Sequence, residues 1–448
     1  MKISVIGCGY LGAVHAACMA ELGHDVVGID VDEHKVAELQ AGRAPFFEPG
    51  LPEVLGRALA SGRLRFTTDM SAAAEATVHF VAVGTPQTKG SYNADLTYVN
   101  AAVDGLLPFL SAGDLVVGKS TVPVGTAARL AAVVESAAVV ESAGASEGEG
   151  SRATLAWNPE FLREGFAVQD TVAPDRFVYG VPAGEAGEKA TAVLDEVYAT
   201  ALATGTPRIV TDYATAELVK VSANAFLATK ISFINAMAEV AEATGADVTQ
   251  LADAIGHDAR IGRKFLNAGL GFGGGCLPKD IRAFRARGDE LGLHDTLSFL
   301  GEVDAINLRR RERVVTLTRE LVGDLAGARI GVLGLAFKPN SDDVRDSPAL
   351  DVVKKLVDAG AIVTAYDPEA NDTALRSLPT LTVAPTAAEA IASVDAVLVL
   401  TEWTEFRELD PSVVAAAVAK KNVVDGRNCL DPVAWRAAGF EVRGLGRP

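Results

Sequence analysis

The sequence predicts an α/β chain with two Rossmann-like, doubly wound domains joined by one long central helix. Three observations carry this. From residue 1 to about 205, short β-branched runs alternate with helical patterns, as in a parallel sheet covered on both faces. From Asp212 to about Thr244 there is neither Gly nor Pro, and Ala is abundant. That stretch reads as one helix of roughly 33 residues, about 50 Å long at ~1.5 Å per residue. From about residue 328 the strand–helix plan starts again.

In the first half the strands are KISVIG, DVVGID, VHFVAVG, DLVVGKST and ATLAWN. The polar, low-complexity run Glu141 to Arg152 reads as a solvated loop inside this domain. In the second half ARIGVLGL is a strand and SPALDVVKKLVDAG a helix, with Ser347 as its cap and Pro348 in its first turn. AIVTAYDP, DAVLVLTEW and KNVVDGRN follow as strands. The halves correspond in kind: GID with AYD, and HFVAVGTP with AVLVLTEW.

A chain of 448 residues is too long for one ordinary core. Its 49% hydrophobic and 22% charged residues suit a water-soluble globular protein. No run reaches the ~18 apolar residues of a membrane span. MKISVIGCG reads as a strand entering a glycine turn, which leaves no room for a signal peptide, so a cytoplasmic location is expected. A net charge of −17 disfavours nucleic acid and anionic membranes as partners, and any anionic ligand then needs a local basic cluster. Cys8, Cys18, Cys276 and Cys429 show no paired spacing, so neither disulfides nor a metal site is expected.

Gly7-Cys8-Gly9-Tyr10-Leu11-Gly12 follows a strand and opens a helix, and Asp30 ends the next strand 18 residues past Gly12. This is the fingerprint of a dinucleotide site. The glycines admit the pyrophosphate to the helix N-terminus. Asp30 can accept from the ribose hydroxyls and would repel a 2′-phosphate, which favours NAD, and Lys35 can reach the same ribose region. Cys8 and Cys18 read as small packing residues.

Gly271-Phe272-Gly273-Gly274-Gly275-Cys276-Leu277-Pro278-Lys279-Asp280 is the most informative segment. Its glycines let a substrate approach the backbone, and Pro278 is placed to start a helix. Cys276 would then sit near a helix N-terminus with Lys279 nearby, both of which favour thiolate. Read alone, the segment also suits a buried inert cysteine. Lys220 and Asn224 share one face of the long helix among apolar neighbours and could stabilise an oxyanion, or could simply be solvated. Asn158-Pro159-Glu160-Phe161-Leu162-Arg163-Glu164-Gly165 follows a strand and carries two carboxylates suited to acid–base work, or to an acidic helix start. Lys119-Ser120-Thr121 leaves the C-terminal end of the fourth expected strand, where such sheets bind ligands.

Together with VGTP, KSTVPVGT, ELVKVSANAFLATKI, RIGRKFLNAGLGFGGGCLPKD and GLAFKPNSDDVRDSPA, these segments occur in an order that resembles the UDP-glucose/GDP-mannose dehydrogenase family over nearly the whole chain. The stretch RIGRKFLNAGLGFGGGC is similar to the branch that acts on UDP-glucose. The resemblance implies a nucleophilic Cys276, with Asp280 as its partner in activating water. Lys220 and Asn224 match an oxyanion and substrate-positioning pair. Thr121, Glu160 and Glu164 match residues that order water and accept protons. Substrate contacts implied are Glu160, Phe161, Leu162, Arg163 and Glu164, the cover Phe265, Leu266, Asn267, Ala268, Gly269 and Gly273, and Lys338. NAD contacts implied are Gly7, Gly9, Leu11, Gly12, Asp30, Lys35, Thr85, Thr121, Glu164, Lys279 and Arg345. Three domains are implied: an NAD-binding domain over residues 1–205, a central dimerisation and catalytic-loop domain over 206–310, and a UDP-sugar domain over 311–448. Gly275 departs from the serine found in many members. The connection GVLGLAFK lacks a second glycine fingerprint, and Lys338 and Arg345 are there to hold phosphates instead.

The reaction implied takes a primary alcohol to a carboxylate, UDP-glucose to UDP-glucuronate, with the aldehyde held on Cys276 between two oxidations. GDP-mannose or UDP-N-acetylmannosamine as substrate is the alternative within the family. A two-electron hydroxyacid dehydrogenase and a non-catalytic NAD sensor are the alternatives outside it. A homodimer is expected, because the long helix offers apolar residues (Phe226, Ile231, Phe233, Ile234, Met237) beyond what two end domains would cover. Arg260, 16 residues before Cys276, is expected to reach the partner's sugar, as the resemblance also implies, or else to cap its own chain at the surface.

Overall fold

The computed structural model describes residues 1–136 and 153–448, so the polar run Glu141–Arg152 lies outside the described residues. Two compact units divide the chain, Met1–Ala223 and Asn224–Pro448. The long helix is Tyr213–Thr244, 32 residues, so it begins in the first unit and continues in the second.

In the first unit the strands are β1 Lys2–Ile6, β2 Asp25–Ile29, β3 Leu64–Thr67, β4 Val78–Val81, β5 Leu115–Gly118, β6 Thr154–Trp157, β7 Phe177–Gly180 and β8 Arg208–Thr211. They lie in the order β3-β2-β1-β4-β5-β6-β7-β8. The reversal of strand order beside β1 opens a crevice at the strand ends, which is where α/β sheets bind ligands. Successive side chains along a strand point to opposite faces, and the core follows that period. Leu115 and Val117 pack with Ile3 and Val5, while Val116 between them packs with Ile6 and Ile29 on the other face. Burial on both faces explains why these strands read as continuous apolar runs. The expected all-parallel plan has one departure: β6 and β7 pair antiparallel at Trp157 and Gly180.

The second unit repeats the plan with β9 Arg329–Leu333, β10 Ile362–Tyr366, β11 Thr382–Val383, β12 Ala396–Val399, β13 Asn422–Asp425 and β14 Glu441–Gly444. Their order is β11-β10-β9-β12-β13-β14, and all pairs are parallel. The helix Pro348–Asp358 starts as expected, with Ser347 Oγ accepting from the Leu350 amide at 3.3 Å. The strands missing from the sequence reading (β3, β7, β8, β11 and β14) are short, and β8 exposes Ile209 and Val210. Among the described residues no helix is long and apolar enough to cross a membrane.

Candidate active site

In the first unit the turn after β1 is built for close approach. A Cβ on Gly12 would stand 1.8 Å from the Gly7 carbonyl oxygen, so only glycine lets the helix Tyr10–Glu21 start against the turn. The position a Cβ on Gly9 would take faces open space, which leaves the backbone accessible to a pyrophosphate. Asp30 ties the turn to the second strand: its Oδ2 accepts from the Cys8 amide at 2.7 Å and pairs with Lys35 Nζ at 2.9 Å. Its Oδ1 accepts from the Asp32 amide at 3.1 Å and retains capacity for a ribose hydroxyl. Thr85 Oγ1 donates to the Thr121 carbonyl at 2.8 Å, which joins the loops after β4 and β5. Leu11 is half-buried against the core. This cradle and acceptor fit a dinucleotide.

Glu160 is held at both oxygens. Oε2 pairs with Lys119 Nζ at 2.9 Å, and Oε1 accepts from the amides of Phe161 and Leu162 at 2.8 and 3.1 Å. Lys119 is 3% exposed and also donates to Asn158 Oδ1 at 3.2 Å and Tyr198 OH at 3.3 Å. Three ammonium protons thus meet three acceptors. The segment Asn158–Gly165 is not helical, and the following helix starts at Ala167. Glu160 and Glu164 therefore do not belong to an acidic helix start. Arg163 is engaged with Asp170 through two nitrogens, at 2.9 and 2.7 Å. Lys220 Nζ stands 5.3 Å from the Phe161 ring centre.

In the second unit Asn224, 7% exposed, donates from Nδ2 to Asp280 Oδ2 at 2.6 Å. Lys279 Nζ pairs with Asp280 Oδ1 at 2.6 Å, so its ammonium is directed to that carboxylate. Cys276 caps the helix Leu277–Glu290, with Pro278 in the first turn, and is exposed. The other three cysteines differ in kind. Burial pushes the Cys8 and Cys429 thiols well up, and Cys18 to about 12. They are inert thiols at neutral pH.

The glycine loop is closely packed by backbone at Gly273 and by side chains at Gly271, Gly274 and Gly275. A Cβ on Gly273 would stand 2.3 Å from the Asp346 carbonyl oxygen. At Gly275 a Cβ would stand 2.4 Å from Arg345 Cζ, so any side chain there would require that guanidinium to move. Arg345 itself is bound to Asp343, at 2.9 Å through Nε and 2.7 Å through Nη2. Phe265 adopts φ +68, Leu266 and Ala268 are buried, and Asn267 Oδ1 accepts from Arg263 Nη1 at 2.7 Å. The Gly269 amide donates to Asn235 Oδ1 at 2.9 Å. Lys338 Nζ lies 5.2 Å from the Phe337 ring centre. Arg260, with an 88% exposed side chain, pairs with Asp258 at 2.6 Å.

Several organising residues escaped the sequence reading: Lys119 as the holder of Glu160, Asn158 and Tyr198 behind it, Asn307 and Arg427. Asn307 brackets Phe272 through its amide and carbonyl at 2.7 and 2.9 Å. Arg427 donates to the carbonyls of Gly271 and Phe337, both at 2.9 Å. A lysine ending an apolar strand was the available signal for Lys119, whereas Asn307 sits in a helix rich in charged residues and gave none. Asp367 occupies in the second sheet the place of Asp30 in the first. Its Oδ2 already accepts from the Leu335 and Ala336 amides at 2.7 and 3.0 Å and from Trp403 Nε1 at 3.1 Å. It is fully buried, so this second sheet lacks the ribose acceptor of the first.

One unit with a dinucleotide cradle, and another with an exposed cysteine on a glycine loop and no such cradle, describe a dinucleotide-dependent oxidoreductase. The chain belongs to the UDP-glucose/GDP-mannose dehydrogenase family. It matches the family's NAD binding domain over residues 1–202, its central domain over 214–309 and its UDP binding domain over 331–432. A UDP-glucose 6-dehydrogenase of Rhizobium meliloti is 43% identical, with 100% of both chains covered. The solved structure of a UDP-glucose dehydrogenase from Pyrobaculum islandicum is 40% identical, with a TM-score of 0.87 and coverage of 100% of this chain and 98% of that one. A UDP-D-ManNAc dehydrogenase from Pyrococcus horikoshii is 27% identical, with a TM-score of 0.84 and coverage of 100% and 99%.

Proposed function

We propose that this chain oxidises UDP-glucose to UDP-glucuronate in two successive oxidations, with Cys276 as the covalent nucleophile. The observation that carries this reading is the exposed Cys276 at a helix start, while burial disables the other three thiols. NAD⁺, when bound, accepts a hydride in each oxidation. The glycine turn, Asp30, Lys35, Thr85 and Thr121 hold and orient the dinucleotide, with Glu164, Lys279 and Arg345 as further contacts. Cys276 adds to the aldehyde carbon and retains it, first as a thiohemiacetal and then as a thioester. Lys220 and Asn224 stabilise the oxyanion that forms on that carbon. Asp280, bonded to Asn224, activates the water that releases the carboxylate, and Thr121 and Glu160 order water and protons. Glu160 to Glu164, Phe265 to Gly269, Gly273 and Lys338 contact the nucleotide sugar. The roles divide among residues 1–205, 206–310 and 311–448 as cofactor, central and UDP-sugar domains. The higher identity to the UDP-glucose enzyme, 40% against 27%, favours glucose over N-acetylmannosamine as the sugar. Cys8, Cys18, Cys276 and Cys429 are thiols rather than disulfides, which accords with a cytoplasmic location.

The test is the NADH yield from a panel of nucleotide sugars. UDP-glucose should give about two NADH per molecule consumed, because the aldehyde stays on the enzyme. It should outperform GDP-mannose and UDP-N-acetylmannosamine. A yield of one NADH with free aldehyde accumulating would reject the mechanism, and a reversed order of sugars would reject the substrate.

The same reading includes a homodimer. Ile234 is buried within its own unit and Ile231 and Met237 are half-buried, so they are partly accounted for. Phe226, Phe233 and Val240 remain 66%, 48% and 53% exposed, at the seven-residue spacing of a helix-pairing seam. Arg260 then serves the partner's sugar. Cys276→Ala and Arg260→Ala proteins should each be nearly inactive. Co-refolded mixtures should regain up to about a quarter of wild-type activity, since half the dimers are mixed and half their sites are whole. Mixed dimers seen by mass spectrometry without recovered activity would show that Arg260 serves its own chain.

A further inference from the structure

Glu48, in the loop between Phe46 and Gly50, is 3% exposed, and both of its oxygens are engaged inside the first unit. Oε2 accepts from the Gly165 amide at 2.6 Å and from the Tyr10 hydroxyl. Oε1 accepts from the Ala167 amide at 2.7 Å. The Gly165 amide also reaches Tyr10 OH at 3.1 Å, and the Tyr10 ring packs on Phe46 with centroids 4.7 Å apart. Burial and the Glu48 carboxylate push the Tyr10 pKa well up, so the phenol keeps its proton and donates.

The two ends of this connection matter. Tyr10 is the first residue of the helix that the glycine turn opens. Gly165, at φ +78, closes the strip that starts at Glu160, and Glu160 is itself fixed by Lys119 and two amides. One buried carboxylate therefore joins the dinucleotide turn to the far end of a strip already pinned at its near end. A shift of either end breaks charge-assisted hydrogen bonding to this buried carboxylate, one bond at the Tyr10 end and two at the Gly165 end, so it resists independent movement of the two.

We propose that Tyr10 and Glu48 form a latch through which occupancy of the dinucleotide turn and occupancy of the Glu160–Gly165 strip strengthen each other. Both are positioning residues. The proposal rests on the reading that the strip contacts the nucleotide sugar. Coupling of this kind is reciprocal, so it can be measured from either ligand.

The experiment is calorimetric titration of UDP-glucose into the full-length protein, alone and with saturating NADH, a pair that cannot react because the cofactor is already reduced. In the wild type NADH should tighten UDP-glucose binding by at least about fivefold, the lower end of ordinary couplings. In Glu48→Gln the factor should fall to about one, since a neutral amide cannot accept at both ends from three donors. Tyr10→Phe keeps the ring on Phe46 and removes only the hydroxyl. It should give the same loss of coupling, and it stands in if Glu48→Gln does not fold. A merely structural role would weaken both ligands and leave the factor unchanged. A wild-type factor of about one, or a factor retained in Tyr10→Phe, would overturn the latch. Failure of the wild type to bind UDP-glucose at all would overturn the substrate assignment, and the latch with it.

Discussion

Cys276→Ser should lower steady-state turnover of UDP-glucose by on the order of 10³-fold, about 4 kcal/mol of barrier, because a hydroxyl is a far weaker nucleophile than a thiolate. The side chain is exposed at its helix start, so the substitution leaves no cavity and should leave the melting temperature unchanged. In rapid mixing the variant should produce no more than about one NADH per subunit before stalling, since the second oxidation requires the covalent adduct. Alkylation supplies the independent check. Iodoacetamide should label Cys276 ahead of the buried Cys8 and Cys18, and sugar nucleotide should protect it. Turnover near wild type in the serine variant would make Cys276 a structural residue.

Lys119→Met should cost about 3–5 kcal/mol of first-unit stability, the range for removing one partner of a buried ion pair. The carboxylate left behind keeps its two backbone amides but loses its counter-charge, while Asn158 and Tyr198 each lose a donor. At roughly 2–4 °C per kcal/mol for a domain of this size, the melting transition should fall by roughly 6 °C or more. Turnover should fall as well, because Glu160 is no longer held in one orientation. The positive neighbour also bears on His15, which is fully buried, finds no hydrogen-bond partner for either ring nitrogen among the described residues and is held neutral by burial and by Lys119. An unchanged calorimetric trace for Lys119→Met would show that the buried ammonium contributes no net stability.

Much of the fold was legible because its signals are local. The long helix could be read from the absence of helix breakers, and it came out within a residue of the expected limits. Ser347 and Pro348 announced a helix start that the structure contains. The strands that were missed carry weak signals. Four-residue β3 alternates one exposed residue among buried ones, and two-residue β11 has no period to detect. The β6–β7 reversal has no local signature, since strand direction depends on how the connecting segment packs rather than on the strand's own residues.

By itself the sequence determined the repeated strand–helix plan, the glycine turn with Asp30 placed to meet it, and the cysteine at a helix start. Each follows from hydrophobic period, caps or the steric demands of a few consecutive residues. Tertiary structure alone decided which polar groups meet. Lys119 finds Asn158 and Tyr198 across 39 and 79 positions, Glu48 finds Gly165 across 117, and Arg427 finds Gly271 across 156. Buried donors and acceptors must be satisfied, but many distant residues could satisfy each one, and only the packed sheet brings one candidate within about 3 Å. The same packing turned Asp367, the counterpart of Asp30 in sequence, into a closed hydrogen-bond hub, because backbone amides filled its oxygens first.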